Sequence, residues 1–398
     1  MLLNVMRGEM MKERIYVCHT YYHVYVTFLK ELNLPKEQRG KATLLLSKMS
    51  INFENLKERV ESTGLFKAVL EYDEKRADFF PQLAKYTKDK GNIVSNMIAR
   101  IIYTKKLAKL NAPYVPVDFK QYKDIYVFCD IDPIGYYLNW KKIPYHAVED
   151  GLNTLQHCDM AWYDNRGHFK LKVFLSEKCN LIFIQNGYGK YCLDMEVNDI
   201  SVLKRPCDKY VEVNRQRLVD ALTQEDKELI LQAFIRDRES LQRQIADCGA
   251  QADCGESVKN CGVQTENYRK QTESELVQEE HKGTDKILIL TEPLCDLETR
   301  ERIFRDIIHM YETEGKIFIK PHPRDELNYR EKFAEYPQFD GTVPMELLNF
   351  FPGLHFKKVV GVLTETTGIH FADESVRLGP DFLDKYEDPA KHDHSKFS

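Results

Sequence analysis

Short runs of consecutive apolar residues recur along the first half of the chain, separated in several places by amphipathic, more polar stretches. Most runs are too continuous for half-exposed strands and are typical of parallel strands covered on both faces. The strands predicted for this half are 14–19, 42–47, 67–72, 124–129, 144–150 and 181–185. Intervening stretches such as 21–33 and 52–62 have the pattern of helices. The alternation predicts an α/β layer with right-handed crossover connections.

The second half begins with an amphipathic pattern that predicts one helix over 222–246, with Thr223 as N-cap and Asp226 three residues later. Residues 247–285 then turn polar and contain almost no aromatic residues, which is typical of a flexible insertion. Apolar runs return after this segment. They predict strands over 286–293, 316–323 and 357–364, and a helix over 298–314.

These patterns predict two α/β domains joined by a helical and polar segment. The predicted parts are an N-terminal domain (1–214), a linking helix (215–246), the polar insertion (247–285) and a C-terminal domain (286–398). A length of 398 residues agrees with two domains.

The balance of charged residues argues against a nucleic acid as the partner. The chain has 57 Lys and Arg against 62 Asp and Glu, a formal net charge of −5, whereas nucleic-acid binders usually carry a basic excess. No run approaches the ~18–20 apolar residues of a membrane span, and charged residues interrupt the N-terminus where a signal peptide would be apolar. We therefore expect a cytoplasmic protein, with the inner face of the cell membrane as an alternative location.

The stretch Lys320-Pro321-His322-Pro323-Arg324 follows a predicted buried strand. Ligands of open parallel sheets collect at the carboxyl ends of the strands, and the two prolines stiffen this loop. An imidazole held between two cationic residues could donate to a phosphate oxygen or carry a proton to a leaving phosphate. The alternative is a proline-rich turn whose histidine bonds a backbone carbonyl.

Two acidic residues, Glu149 and Asp150, end another predicted strand, and Gly151 permits a sharp turn after them. Neighbouring residues of an extended strand point to opposite faces, so one carboxylate could reach a cleft while the other braces the loop. A carboxylate in a cleft could serve as general base for a sugar hydroxyl. The alternative is an Asp-Gly turn with solvated acids.

A hydroxyl-rich turn follows the strand at 357–364. Thr364, Thr366 and Thr367 precede Gly368, and hydroxyls with backbone N–H groups at a helix start can bind phosphate. An ordinary helix cap uses the same geometry. Glu346 lies just after Pro344 at a predicted helix start, where it could accept from a ribose diol or simply complement the helix dipole.

Familiar nucleotide and metal motifs are missing from the sequence. There is no Walker loop and no G-x-G-x-x-G after a strand. Asp130-Ile131-Asp132 matches a D-x-D triplet only nominally, because Pro133 follows at once. We therefore expect neither a metal nor another cofactor.

In combination, these motifs resemble those of bacterial sialyltransferases. Glu149-Asp150-Gly151 is similar to their acidic-acidic-glycine motif, His322-Pro323 to their His-Pro motif, and the turn at 364–367 to their Ser/Thr motif. The stretches 287–294 and 343–348 also resemble glycosyltransferase family 52, which includes lipooligosaccharide sialyltransferases.

The resemblance implies a GT-B fold, with two Rossmann-like domains and an active site in the cleft between them. It implies an inverting, metal-independent transfer of sialic acid from CMP-sialic acid to a terminal sugar of a cell-surface glycan. The general base would be Asp150, with Glu149 as the alternative. His322 would contact the CMP phosphate and help it leave.

Further donor and acceptor contacts are predicted with this resemblance. The remaining residues predicted to contact the donor nucleotide are Pro323, Lys320, Glu346, Thr364, Thr366 and Thr367. Tyr21, Tyr22 and His23 either line the acceptor pocket or form the buried face of the first helix. A homodimer is compatible with the resemblance.

Other functions remain open at the level of sequence. One is a related transferase of surface polysaccharide that extends polysialic acid or moves glucose or a polyol phosphate. Another is a catalytically inactive protein of the same fold that binds glycans.

Overall fold

The computed structural model describes residues 12–248, 285–351, 353–366 and 368–389. Most of the predicted insertion, 249–284, and the predicted phosphate contact Thr367 therefore lie outside the described residues. None of the helices in the described ranges is both long enough and apolar enough to cross a bilayer.

The strands alternate with helices along the described chain. The strands are β1 (Lys12–Cys18), β2 (Thr43–Ser47), β3 (Ala68–Tyr72), β4 (Tyr122–Phe128), β5 (Tyr145–Val148), β6 (Cys192–Val197), β7 (Tyr210–Glu212), β8 (Lys286–Leu290), β9 (Lys316–Lys320), β10 (Phe356–Gly361) and β11 (Ala372–Arg377). The α-helices are α1 (Tyr21–Leu32), α2 (Leu56–Ser62), α3 (Ala84–Thr87), α4 (Ile93–Asn111), α5 (Pro133–Lys141), α6 (Thr154–His157), α7 (Met160–Tyr163), α8 (Phe169–Glu177), α9 (Arg215–Asp220), α10 (Gln224–Phe234), α11 (Arg238–Cys248), α12 (Leu297–Tyr311) and α13 (Tyr329–Lys332). Short 3-10 helices include Met345–Phe350 and Pro380–Lys385.

Contacts within the chain divide it into two compact units. The first unit holds the described residues up to Arg236, together with Thr342–Pro344 and the described residues from Leu383 onward. The second unit holds the described parts of Asp237–Gly341 and Met345–Phe382. The sequence pattern gives no indication that the segment after Leu383 groups with the first unit.

Each unit is built on a parallel sheet. Within the described residues, the first unit has a seven-stranded sheet in the order β3-β2-β1-β4-β5-β6-β7, and the second a four-stranded sheet in the order β11-β10-β8-β9. All of the pairings are parallel. All five residues of β2 and the last four of β8 are buried, as expected for strands covered on both faces. Both units are therefore Rossmann-like.

Three sequence predictions of secondary structure are wrong. No helix starts at the hydroxyl-rich turn, because the described residues from Gly368 lead directly into β11. The run 181–185 forms no strand, because several of its backbone groups bond outside any sheet. Arg100 donates to the Phe183 carbonyl, the Ile184 N–H donates to Ser176 Oγ, and the Leu181 N–H donates to a backbone carbonyl before it. The helix predicted over 222–246 is interrupted after α10, where Ile235 adopts an extended conformation. The capping box at the start of α10 is confirmed, with Thr223 and Asp226 bonded reciprocally.

Candidate active site

The order of strands in the first sheet reverses between β1 and β4, which places a crevice at the carboxyl ends of these neighbours. His19 follows β1, and the acidic segment Asp130–Asp132 follows β4. Glu149 and Asp150 come directly after β5, the next strand of the same sheet. The strand order therefore brings a set of titratable side chains to one edge.

Glu149 is a buried brace between two loops. Its Oε1 accepts from the Leu155 N–H and its Oε2 from the Asn198 N–H, both at 2.9 Å. Burial raises the pKa of this carboxyl group, although both backbone hydrogen bonds oppose the shift. Because each oxygen already serves a backbone N–H, the geometry does not support Glu149 as the alternative base.

The Asp150 carboxylate is partly exposed to solvent, and one of its oxygens is hydrogen-bonded to a buried histidine. Its side chain is 46% exposed, whereas its partner His23 is fully buried. The distance from His23 Nε2 to Asp150 Oδ1 is 2.7 Å, and the same nitrogen lies 3.0 Å from the Asp150 backbone oxygen. Asp150 is thus a carboxylate with fixed orientation and an accessible surface.

The proton of His23 has a defined position. The His19 backbone N–H donates to His23 Nδ1 at 3.0 Å, so the neutral ring carries its hydrogen on Nε2 and donates it to Asp150. Burial lowers the pKa of His23, and the hydrogen bond to Asp150 offsets part of this shift. His23 is therefore a neutral donor to Asp150.

Local structure fixes the ring of His23. Thr20 caps α1 and accepts from the His23 N–H at 3.2 Å, which places His23 in the first turn of the helix. The imidazole stacks on Phe128 at the end of β4, with ring centroids 4.5 Å apart. Phe128 at the end of β4 and the Thr20 cap of α1 thus set the geometry of the pair.

The burial of α1 corrects part of the predicted acceptor site. Tyr21 is buried and packs against Phe53, and His23 is buried beneath Asp150. Neither presents a surface to an acceptor. Tyr22 is half-buried, and its role as an acceptor contact stays a prediction.

A pocket at this edge includes Asp150 in its lining, together with Asp130, Gln185 and Asn186. Asp130 is buried and accepts from the Asn186 N–H at 2.9 Å, and burial raises its pKa to about 6. Gln185, the last residue of the run predicted as a strand, thus lines this pocket.

A second buried cluster was not identified from the sequence. His19 Nε2 lies 2.8 Å from Glu74 Oε2 and 3.6 Å from Asp132 Oδ2. Glu74 also accepts from Ser47 Oγ and from the Ile134 N–H. Burial lowers the pKa of His19, but Asp132 and Glu74 outweigh it and raise the pKa to about 9. Unlike His23, His19 is cationic at neutral pH.

In the second unit, the strand order reverses between β10 and β8. Thr291 and Glu292 follow β8, the Pro-His-Pro loop follows β9, and Thr364 lies three residues after β10. The predicted donor-binding loops after β9 and β10 thus lie at the same sheet edge, where ligands of such sheets bind.

His322 is held by its backbone and by one ring nitrogen. Its N–H donates to Thr291 Oγ1 at 3.0 Å, and its Nδ1 accepts from the Arg324 N–H at 3.1 Å. Burial, with Arg324 and Lys320 nearby, lowers its pKa to about 3. The ring is therefore neutral, with its hydrogen on Nε2, and suits hydrogen-bond donation better than proton transfer.

Lys320 supports the loop that carries His322. The Lys320 side chain is buried, and its Nζ donates to the carbonyls of Pro321 and Gly341, each at 3.0 Å. Burial lowers its pKa to about 8. Lys320 thus fixes the loop backbone and contributes positive potential, and its direct contact with a nucleotide stays a prediction. Pro323 is exposed in the same loop.

The hydroxyl motif is engaged by Glu292, which the sequence did not single out. Glu292 Oε1 accepts from the N–H groups of Leu363 and Thr364, at 2.9 and 2.5 Å, and from the Thr364 hydroxyl. Burial raises the pKa of Glu292. The Thr364 N–H and hydroxyl both donate to Glu292, and a phosphate contact by Thr364 or by the half-buried Thr366 stays a prediction.

Glu346 lies in the first turn of the 3-10 helix Met345–Phe350. Burial raises the pKa of Glu346, and the Lys320 charge opposes the shift. Asn349 ties this helix to the hydroxyl motif by donating to the Gly368 carbonyl and accepting from the His370 N–H, both at 2.8 Å. A nucleotide contact by Glu346 stays a prediction. Among the described residues, no three acidic, histidine or cysteine side chains are grouped to hold a metal ion.

No family model matches the chain. A curated protein of Haemophilus influenzae, described as uncharacterized, is 30% identical over 109 residues. That region covers 25% of this chain and 35% of the relative, so the match spans about a third of the relative's length.

Solved structures are similar over most of the chain. A 2,6-sialyltransferase of Photobacterium sp. JT-ISH-224, in complex with CMP and lactose, is 10% identical with a TM-score of 0.52, over 92% of this chain and 71% of that one. An α-2,3-sialyltransferase of Photobacterium phosphoreum is 12% identical with a TM-score of 0.48, over 91% and 89%. Similarity at such identities establishes the fold alone. The chain has the GT-B fold, built from two Rossmann-like domains.

Proposed function

We propose that this chain is an inverting, metal-independent glycosyltransferase that moves sialic acid from CMP-sialic acid to a terminal sugar of a cell-surface glycan. The observation that carries the proposal is the pair formed by Asp150 and His23. A half-exposed carboxylate is held at 2.7 Å by a buried, neutral histidine whose own proton is fixed by a backbone N–H. Such an arrangement suits a general base.

In this proposal, Asp150 accepts the proton of the acceptor hydroxyl as the hydroxyl oxygen forms its bond to the anomeric carbon. The bond between that carbon and the phosphate oxygen breaks in the same displacement, which inverts the anomeric configuration. The donor N–H of His23 favours the ionised form of Asp150, which is the form that can accept a proton.

The second domain would assist departure of the phosphate. His322 offers a neutral Nε2–H, while Lys320 and Arg324 contribute positive potential around it. Donors aimed at a developing negative charge stabilise the transition state without a metal. A single departing phosphate suits this form of assistance. The likeness in fold to a sialyltransferase that was solved with CMP and lactose supports the choice of donor to test first.

The test is turnover by the full chain with CMP-sialic acid, with and without lactose, in buffer containing EDTA. Released CMP is measured by chromatography and the product by mass spectrometry, and UDP-glucose is the competing donor. We expect CMP release and a sialylated product, both lost in Asp150→Asn. Asp208→Asn, at an exposed aspartate, serves as the matched control.

The other outcomes distinguish the alternatives. Turnover with UDP-glucose but not with CMP-sialic acid would support a transferase and exclude sialic acid as the sugar that it transfers. Turnover that EDTA abolishes would contradict metal independence. Absence of turnover with every nucleotide sugar, together with binding of glycans, would favour the catalytically inactive alternative.

A further inference from the structure

Helix α4 combines exposed apolar side chains with charged residues that are all basic. Its residues Ile93–Asn111 include Arg100 and three lysines but no acidic residue. Val94 is 65% and Ile98 53% exposed, and Ile93 is exposed as well. Because Val94, Ile98, Lys105 and Lys109 are separated by four, seven and four residues, they lie along one stripe of the helix.

Helix α8 repeats this combination over a shorter length. Leu171 is 50% and Phe174 55% exposed. Lys170 and Lys172 alternate with these apolar residues, and Glu177 at the C-terminal end is the acidic residue of the helix. Apolar and basic groups thus share the surface of α8 as they do that of α4.

The two helices belong to one surface of the first domain. Ile101 of α4 and Phe169 and Val173 of α8 pack against the same buried cluster. A groove between the helices is lined by Ile93, Met97 and the exposed Asp89, just before α4, on one side and by Lys172 on the other. We refer to the exposed residues of Ile93–Asn111 and Phe169–Glu177 as the α4–α8 face.

Exposed apolar side chains are concentrated on the α4–α8 face. Of the thirteen large apolar side chains that are exposed in the described residues, five lie on these two helices. They are Ile93, Val94, Ile98, Leu171 and Phe174. Concentrated apolar exposure on a monomer marks an interaction surface, whereas scattered single residues do not.

The charge of the α4–α8 face indicates which kind of partner binds it. The two helices carry six basic residues against one acidic residue, in a chain whose formal net charge is −5. A two-fold interface between copies of this chain would set these like charges against each other. An anionic bilayer surface instead accepts apolar side chains among its acyl chains and attracts lysines to its headgroups.

We propose that the α4–α8 face binds the surface of a membrane that contains anionic lipid. The helices lie on the bilayer in this assignment and do not cross it. Val94, Ile98, Leu171 and Phe174 enter the region between headgroups and acyl chains, while Lys105, Lys109 and Lys170 contact the headgroup phosphates. The inference goes beyond the proposed transferase activity and does not depend on it.

The experiment is co-sedimentation of the full chain with vesicles in the absence of any nucleotide sugar. Vesicles of phosphatidylcholine with a third phosphatidylglycerol are compared with pure phosphatidylcholine. We expect binding to the anionic vesicles alone, weakened by 1 M salt because the Debye length falls to about 3 Å. Val94→Ser/Phe174→Ser should reduce partitioning about tenfold, and Lys105→Gln/Lys109→Gln about fivefold per lysine.

The matched control is Leu193→Ser/Val211→Ser, which removes two equally apolar, exposed groups from β6 and β7. It should bind like the wild type, and circular dichroism should find all variants folded. Equal binding to both vesicle types, no binding, or equal losses in control and test variants would overturn the proposal. A dimer in sedimentation equilibrium that Val94→Ser/Phe174→Ser dissociates would assign the face to a second copy instead.

Discussion

The carboxyl-end edges of the two sheets share a glutamate brace but differ in the titratable groups that surround it. In each domain a buried glutamate shortly after one strand accepts an N–H from the loop after another strand. Glu149, after β5, accepts from Asn198 after β6, and Glu292, after β8, accepts from Leu363 and Thr364 after β10. Beyond this brace, the first edge holds Asp130, Asp132 and Asp150. The second edge places its histidine beside two cationic residues.

This difference determines what each histidine can do. Burial lowers the pKa of both His322 and His23, so both rings are neutral. In each ring Nδ1 accepts from a backbone N–H, which leaves the hydrogen on Nε2 as a donor. His23 gives its hydrogen to a carboxylate, whereas His322 lies in a positive environment suited to an anion. In the proposed function, the first edge accepts a proton and the second receives a phosphate.

The largest effect is expected from the carboxylate of the first edge. Asp150→Ala should lower kcat by roughly 10²–10⁴-fold, because general base assistance contributes that much. The half-exposed side chain adds little to packing, and the Asp150 backbone oxygen, 3.0 Å from His23 Nε2, remains as an acceptor in this variant. The thermal unfolding midpoint should therefore stay near that of the wild type. Rates of CMP release together with calorimetry check both parts; near-normal turnover would remove Asp150 from the chemistry.

His322→Ala tests the second edge. Loss of one donor to a developing oxyanion typically costs about 10²–10³-fold in kcat. His322→Gln, which retains an N–H near the position of Nε2, should recover part of the loss because the histidine acts as a neutral donor. If glutamine is as inactive as alanine, a proton-transfer role for the imidazole is favoured instead. CMP release from CMP-sialic acid is the measurement.

His23 is expected to position the base, and its replacement should have a smaller effect. A hydrogen bond to a charged group contributes about 1.5–3 kcal/mol, so His23→Phe should lower kcat/KM roughly 10–100-fold. Loss of the donor disfavours the ionised carboxylate, and the acid limb of the pH–rate profile should move to higher pH. His23→Gln should return the acid limb of the pH–rate profile to its wild-type position. If His23 had a purely structural role, the acid limb would keep its wild-type position in both variants.

The smallest expected effect is a pH-dependent stability of the first domain. The folded pKa of His19, about 9, lies above its unfolded value of about 6.5. Its contribution is therefore fully present below pH 6.5 and is lost as pH rises through about 9. The unfolding midpoint should fall over this interval in the wild type and less in His19→Gln. His309→Gln, at an exposed histidine, should retain the wild-type slope.

Continuous apolar runs determined much of the fold. The runs at 14–19, 42–47 and 124–129 became β1, β2 and β4, because a strand with two covered faces needs apolar side chains at nearly every position. The same reasoning failed at 181–185, which is equally apolar. There Arg100 and Ser176 took some of the backbone hydrogen bonds, and no local pattern reveals those partners. Strands β6, β7 and β11, with exposed positions among their residues, went unpredicted.

By itself, the sequence determined which side chains stand at the ends of the strands, since strand periodicity and turn residues are local properties. Only the tertiary structure decided what those side chains do. The partner of Asp150 is 127 residues away, and Glu292 bonds the Thr364 motif across 72 residues. Burial and charge then set protonation, which makes His23 neutral and His19 cationic four residues apart. Contacts of this kind depend on how distant segments pack, which a local pattern does not encode.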